Sequence, residues 1–282
     1  MKLITHTDLD GVSCAIVGGD YFDEMFFVDY GEVTETVFEL LNSEEPFYIT
    51  DLGITEEVAD AIDASLNEVV YIDHHTSNEW LNKYDWAYVW PELFGVRESA
   101  TSLLFGYMKS NDLEVNVNTS FVDLVRSYDT WEWKETGNIK ARDLARLFKE
   151  LGREQFIEEN PRGVVQFTSE QIYLLDMLKK KIQRKTDSIE LDEYQIGDYN
   201  FGIGFCEEYI SEIANKLCEK HDFDGVALIN PGRKAVSLRT NRNDINLGEL
   251  ASKFGGGGHP KAAGFRYDID LKEVIANETF KQ

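Results

Sequence analysis

Two apolar runs that stop abruptly at histidine and aspartate constrain this chain more than any other feature. Residues 1–5 lead into His6-Thr7-Asp8-Leu9-Asp10, and Val69-Val70-Tyr71-Ile72 leads into Asp73-His74-His75. A short, continuous apolar run reads as a strand buried in a parallel sheet, and such strands deliver functional groups at their carboxyl ends. Residues 47–50 repeat the pattern, ending at Asp51. Four of the five histidines (His6, His74, His75 and His259) fall inside tight polar clusters, and only His221 stands apart.

Strand-like runs at 2–5, 25–28, 47–50, 69–72 and 86–90 alternate with helix-like stretches at 12–21, 33–41 and 56–66. This rhythm predicts an α/β fold whose N-terminal domain is a Rossmann-like parallel sheet with helices on both faces. Beyond residue 98 the pattern turns helical, with candidates at 101–109, 119–127, 139–151 and 154–159. Apolar positions at helical spacing over 168–189 predict a long connecting helix. Hairpin-like strands follow at 194–197 with 199–205 and at 225–229 with 235–239 across Pro231-Gly232, predicting a smaller α+β C-terminal domain. The expected division is 1–167, 168–190 and 191–282.

With 43% hydrophobic and 12% aromatic residues the chain can bury ample cores. It shows no charged-then-apolar leader, and no apolar stretch approaches the ~18 residues needed to span a bilayer, so a cytoplasmic protein without a membrane partner is expected. Cys14, Cys206 and Cys218 form no Cys-x-x-Cys pair and are odd in number, which argues against a disulfide framework or a zinc ribbon. A net charge of −24 disfavours binding of long duplex nucleic acid. The charge is uneven, however: residues 225–282 are net basic, so an anion belongs there, whereas the acidic remainder calls for cations.

Clustered carboxylates and imidazoles are what a hydrolytic two-metal centre requires. In an extended segment His6, Asp8 and Asp10 would share one face; in a tightening loop they would fan across two ions, with Gly11 permitting close entry into a helix. Asp51 is a candidate bridge. His74 and His75, being consecutive, point different ways, one to a metal and one toward substrate. Asp129, in Arg126-Ser127-Tyr128-Asp129-Thr130-Trp131, ends a helical stretch and reads equally as a ligand or as a plain helix terminus. Nitrogen and oxygen donors without thiolate favour two Mn2+ ions, with Mg2+ as the alternative. The run Gly255–Gly258 can form an anion-binding nest of backbone amides through Gly256, Gly257 and Gly258, with His259, Arg239 and Lys261 adding charge.

In this order, His-x-Asp-x-Asp-Gly, the isolated Asp51, Asp73-His74-His75, Asp129 and the Gly-rich His259 loop resemble the DHH phosphoesterase family over nearly the whole chain. The tail, from Ser237-Leu238-Arg239-Thr240 to Gly-Gly-Gly-Gly-His-Pro-Lys-Ala-Ala-Gly-Phe, is similar to that family's DHH-associated substrate domain, nearer the short-oligonucleotide and cyclic-dinucleotide branch than the pyrophosphatase branch. The resemblance implies one ion on His6, Asp8 and Asp51, and a second on Asp10, Asp51, His74 and Asp129. It implies that Asp73 orients the imidazoles and that His75 contacts the scissile phosphate or protonates the leaving oxygen.

The resulting expectation is a hydrolase of phosphoester bonds: a metal-dependent phosphodiesterase cutting short single-stranded RNA to mononucleotides, since few phosphates need approach the acidic body. Alternatives are a cyclic or linear dinucleotide phosphodiesterase or a phosphatase of 3′-phosphoadenosine 5′-phosphate; further off stand a pyrophosphatase and a non-catalytic nucleotide-binding module. A homodimer is left open.

Overall fold

The computed structural model of the 282-residue chain describes residues 1–43, 45–163 and 166–269. Two compact units divide it, Met1–Leu175 and Asp176–Gln282.

The first unit runs β1 (Lys2–His6), α1 (Leu9–Gly18), β2 (Glu24–Val28), α2 (Val33–Leu41), β3 (Phe47–Thr50), α3 (Glu56–Ala64), β4 (Val69–Asp73), β5 (Ala87–Val89) and a two-residue-strand hairpin of β6 (Glu92–Leu93) and β7 (Val96–Arg97). Helices α4 (Ala100–Ser110), α5 (Thr119–Asp129), α6 (Glu132–Thr136) and α7 (Ile139–Glu159) complete it. Strands β1 to β5 form one parallel sheet in the order β2-β1-β3-β4-β5. Successive residues along its strands serve opposite cores. Ile4, Phe47, Ile49, Val69 and Tyr71 pack with α2 and α3, whereas Leu3, Tyr48, Val70 and Ile72 pack with α1 and α4. The uninterrupted apolar runs of the sequence are the direct result, because a strand covered on both faces has no solvent side to make polar. Strand order reverses between β1 and β3, and the crevice at the carboxyl ends there is where doubly wound sheets bind ligands.

One expected boundary shifts. Helix α1 begins at Leu9, not residue 12, and a short 3-10 turn takes Gly19–Tyr21. The expected helices 139–151 and 154–159 are both present within α7, separated at Gly152, whose φ of 75° takes it out of helical geometry.

In the second unit the helix expected over 168–189 is α8 (Ser169–Ser188), which begins within the first unit. There follow β8 (Asp192–Ile196), β9 (Tyr199–Phe205), α9 (Ile210–Lys220), β10 (Gly225–Asn230), β11 (Ala235–Arg239), α10 (Leu247–Ser252), β12 (Gly257–His259) and β13 (Ala262–Arg266). Their six-stranded sheet has the order β12-β13-β11-β10-β9-β8 and is antiparallel except for the pair β9 and β10, which α9 connects. That crossover goes beyond the hairpins expected from sequence, although Ile210, Ile213, Ala214 and Leu217 carry its helical period. Among the described residues no helix is long and apolar enough to cross a membrane.

Candidate metal centre

His6 closes β1, and the chain turns straight into α1. Asp8 is the helix N-cap, its Oδ1 accepting from the Gly11 amide at 3.0 Å, a contact worth about 1 kcal/mol of helix stability. Asp10 lies in the first helical turn and is buried. Its carboxylate accepts from the Ala100 and Thr101 amides at 2.7 and 3.0 Å, so the N-terminus of α4 holds it by otherwise unpaired N–H groups and a favourable dipole. The three residues therefore fan out around a strand-to-helix corner instead of alternating on one extended face. Gly11 is required there, because a Cβ would stand 2.3 Å from the His6 carbonyl oxygen.

Asp51 follows β3 in the left-handed region, φ 57°, and is 2% exposed. Aspartate tolerates this conformation better than most residues, yet it costs on the order of 1–3 kcal/mol, a strain typical of positions held for function. Asp73 ends β4 fully buried. Its Oδ1 accepts from the His74 amide and His75 Nδ1, both at 2.8 Å, and its Oδ2 from the Tyr71 hydroxyl at 3.2 Å and Asn78 Nδ2 at 2.5 Å. With both oxygens engaged, Asp73 orients its neighbours. Asp129, the last residue of α5, comes to 3.2 Å from His74 Nε2.

These side chains gather into two groups that meet at Asp51. His6 Nδ1 lies 3.2 Å from Asp8 Oδ2 and 3.8 Å from Asp51 Oδ2. His74 Nε2 lies 3.8 Å from Asp10 Oδ2, 3.6 Å from Asp51 Oδ1 and 3.2 Å from Asp129 Oδ2. Asp51 Oδ2, His74 Nε2 and Asp129 Oδ2 are all buried without a hydrogen-bond partner. Leaving such atoms unpaired is costly, and divalent cations seated in the two groups would satisfy them. Electrostatics agree: burial first, then the crowd of neighbouring carboxylates, pushes the Asp51 and Asp129 carboxyls well above their usual range. The donor atoms are nitrogen and oxygen only, and they lie within 4.8 Å of one another in the sets His6, Asp8, Asp51 and Asp10, His74, Asp129, so the residues fit hard or borderline divalent ions.

His75 borders the second group, its Nδ1 4.0 Å from Asp51 Oδ1 and its ring centroid 4.2 Å from that of His74. Its hydrogen bond to Asp73 outweighs burial and raises its pKa above the ordinary imidazole value. The same pairing overcomes burial, which alone would raise the Asp73 carboxyl, and holds that group low.

Sequence reasoning missed several supports of this centre. Asp29 Oδ1 lies 3.4 Å from His6 Nε2, and Tyr30 sets its ring 4.9 Å from the His6 ring. Burial and the acidic cluster push the Tyr30 phenol up to about 12. Asp29 follows β2 as Asp51 follows β3, a repeat of the strand-then-acid signal. Asn78 and the α4 N-terminus carried no comparable signal, because their roles depend on distant residues.

In the second unit, Arg239, Ala262 and His259 are register partners across β11, β13 and β12, so Arg239 and His259 share one face about two strand spacings (~10 Å) apart, with alanine between them. Arg239 donates to the Leu238 carbonyl at 2.8 Å and Ser211 Oγ at 2.9 Å, and its Nε is buried without a partner. Burial lowers its pKa. The glycine run is not the loop of consecutive amides expected from sequence: Gly257 and Gly258 enter β12 and pair with Gly264 and Ala263. A Cβ at Gly256 would meet the Gly264 carbonyl oxygen at 2.1 Å, and one at Gly258, φ 138°, the Ala262 carbonyl oxygen at 2.6 Å. Close strand packing explains those two glycines; Gly257 faces open space.

Residues 199–279 match the DHHA1 domain. The chain is 32% identical to Oligoribonuclease NrnB of Bacillus subtilis (strain 168), an alignment covering 99% of this chain and 76% of that protein. It is 23% identical to a 3′,5′-cyclic-nucleotide phosphodiesterase of Helicobacter pylori, covering 96% of each. Among solved structures, RecJ of Thermus thermophilus in complex with Mn2+ shares the fold with a TM-score of 0.54 at 14% identity, over 98% of this chain and 50% of that one. The paired acid–imidazole groups at the carboxyl edge of a parallel sheet and the extended match to NrnB lead to one assignment: the chain belongs to the DHH phosphoesterase family.

Proposed function

We propose that this protein is a cytoplasmic, manganese-dependent phosphodiesterase that hydrolyses short oligoribonucleotides to mononucleotides. The observation that carries the reading is the convergence of three unpartnered buried atoms, on Asp51, His74 and Asp129, inside a chain 32% identical to an oligoribonuclease. His6, Asp8 and Asp51 would hold one ion, and Asp10, Asp51, His74 and Asp129 a second. When bound, such ions neutralise the scissile phosphate and make water a nucleophile at neutral pH.

The chain's own residues supply the rest. Asp73 fixes His75 through Nδ1, leaving Nε2 to carry the proton. The Asp73 hydrogen bond raises the His75 pKa and so favours its protonated form, which would contact a phosphate oxygen or protonate the leaving oxygen. Arg239 and His259, on the small-residue face beside Gly257, would take the terminal phosphate of the substrate. Gly256 and Gly258 would serve by letting the strands close beneath that face.

The test is hydrolysis of a labelled RNA ladder from the dinucleotide upward, with manganese, magnesium or chelator. Manganese-dependent loss of the shortest rungs is expected. Inertness toward every rung, with turnover of a cyclic dinucleotide or of 3′-phosphoadenosine 5′-phosphate instead, would replace the substrate and keep the chemistry.

A further inference from the structure

We propose that the Trp131 indole is a stacking platform for a base of the oligoribonucleotide, next to the phosphate being cut; the proposal rests on the phosphodiesterase reading above. A lone exposed aromatic is ordinary and carries no meaning by itself. Trp131 differs in several respects at once.

Its backbone is left-handed, φ 64°, a conformation that suits glycine or asparagine and is unfavourable for a bulky side chain. It occupies the N-cap of α6, where serine, threonine, aspartate or asparagine would supply a hydrogen bond, and it makes no such bond. The residue is 46% exposed. Local structure would be better served by almost any small polar residue.

The surrounding turn is nevertheless braced. Arg97 Nη1 donates to the Thr130 carbonyl at 3.0 Å, and its Nη2 pairs with Glu135 at 2.7 Å. Arg126 pairs with Glu132 at 2.7 Å and donates to the Arg97 carbonyl at 3.0 Å. The Lys134 ammonium sits 4.3 Å from the indole centroid, holding one ring face by a cation–π contact. Strain that persists because its surroundings over-determine it marks functional positions.

Place and chemistry identify the occupant. Trp131 is two residues beyond Asp129, so its Cα lies within about 7 Å of that of a proposed metal ligand, the scale that separates a nucleotide's base from its phosphate. Every base offers a π face, so stacking gives affinity without base preference and without asking this acidic chain to neutralise more phosphates.

The experiment compares wild type, Trp131→Phe and Trp131→Ala on a plain dinucleotide and on an analogue with one abasic nucleoside. Trp131→Ala should raise KM for the plain dinucleotide roughly tenfold or more, Trp131→Phe should recover most of the loss, and on the abasic analogue all three should agree. In chelator, without turnover, the dinucleotide should quench indole emission in wild type, and Trp131→Phe should lose part of that quench. An unchanged KM in Trp131→Ala overturns the proposal. So does an equal loss on both substrates, which would make Trp131 a support for Asp129. If wild type cuts no oligoribonucleotide at all, the phosphodiesterase reading falls instead, and the quench by a dinucleotide still decides whether the indole stacks.

Discussion

The two units carry their candidate functional residues in opposite ways. In the first, the metal-site side chains are largely buried and each is fixed by a strand end, a helix cap or a hydrogen bond. In the second, Arg239 and His259 stand on the same sheet face among alanine and glycine, and His259 and Gly257 are exposed. A centre that concentrates negative charge must be rigid before its cations arrive, since unpaired carboxylates repel. A surface that receives a phosphate needs chiefly room and positive charge.

The sharpest way to break that contrast is Asp51→Asn. Asparagine tolerates the left-handed backbone, so the fold should survive. Asp51 offers one oxygen to each group, and turnover should fall by more than the roughly 10–100-fold that loss of an outer hydrogen-bond partner brings. In the metal-free state the same variant should melt higher than wild type, because it removes one of the crowded carboxylates. Steady-state hydrolysis and thermal melts in chelator check both arms; wild-type turnover would remove Asp51 as the shared residue.

Next in size is Asn78→Ala. Asn78 holds Asp73 Oδ2 at 2.5 Å, and Asp73 holds the His75 imidazole and the His74 backbone amide. Turnover should drop about 10–100-fold with little change in KM, because the altered group lies behind the imidazoles and does not touch substrate. A pure KM effect would put Asn78 in a binding role.

His259→Ala should behave in the opposite sense. Its proposed partner is a remote phosphate, so KM should rise roughly tenfold, the size of a charge-assisted hydrogen bond, while kcat holds. An unchanged KM with a lower kcat would remove the second unit from substrate binding.

How much of this was legible in the sequence follows the same division. The parallel sheet could be read because burial on both faces leaves long apolar runs, and the strand-end acids because the runs stop at them. Asp10 was visible as a candidate, but its seat on the α4 N-terminus was not: Ala100 and Thr101 are about ninety residues away and hold its carboxylate through backbone amides. Helix α9 was overlooked despite its period because the strands around it read as hairpins. The glycine run was misread as a loop because glycine's two uses, freedom of φ and absence of Cβ, look identical in a sequence.

That last ambiguity gives the smallest expected effect and the finest test of the comparison. If close packing alone explained the run, alanine would be harmful wherever strands touch and harmless elsewhere. Gly256→Ala and Gly258→Ala should each lower the melting temperature of the second unit, because the new Cβ would press on a carbonyl oxygen and, at Gly258, the backbone would also be strained. Gly257→Ala has open space and should melt within a degree or two of wild type. Yet Gly257 lies on the same face as Arg239 and His259, since its pairing with Gly264 is two residues removed from that of His259 with Ala262. A methyl group there should raise KM a few-fold through crowding of the phosphate, without changing stability. If Gly257→Ala left both KM and melting temperature untouched, the phosphate would have to sit on another face of this sheet.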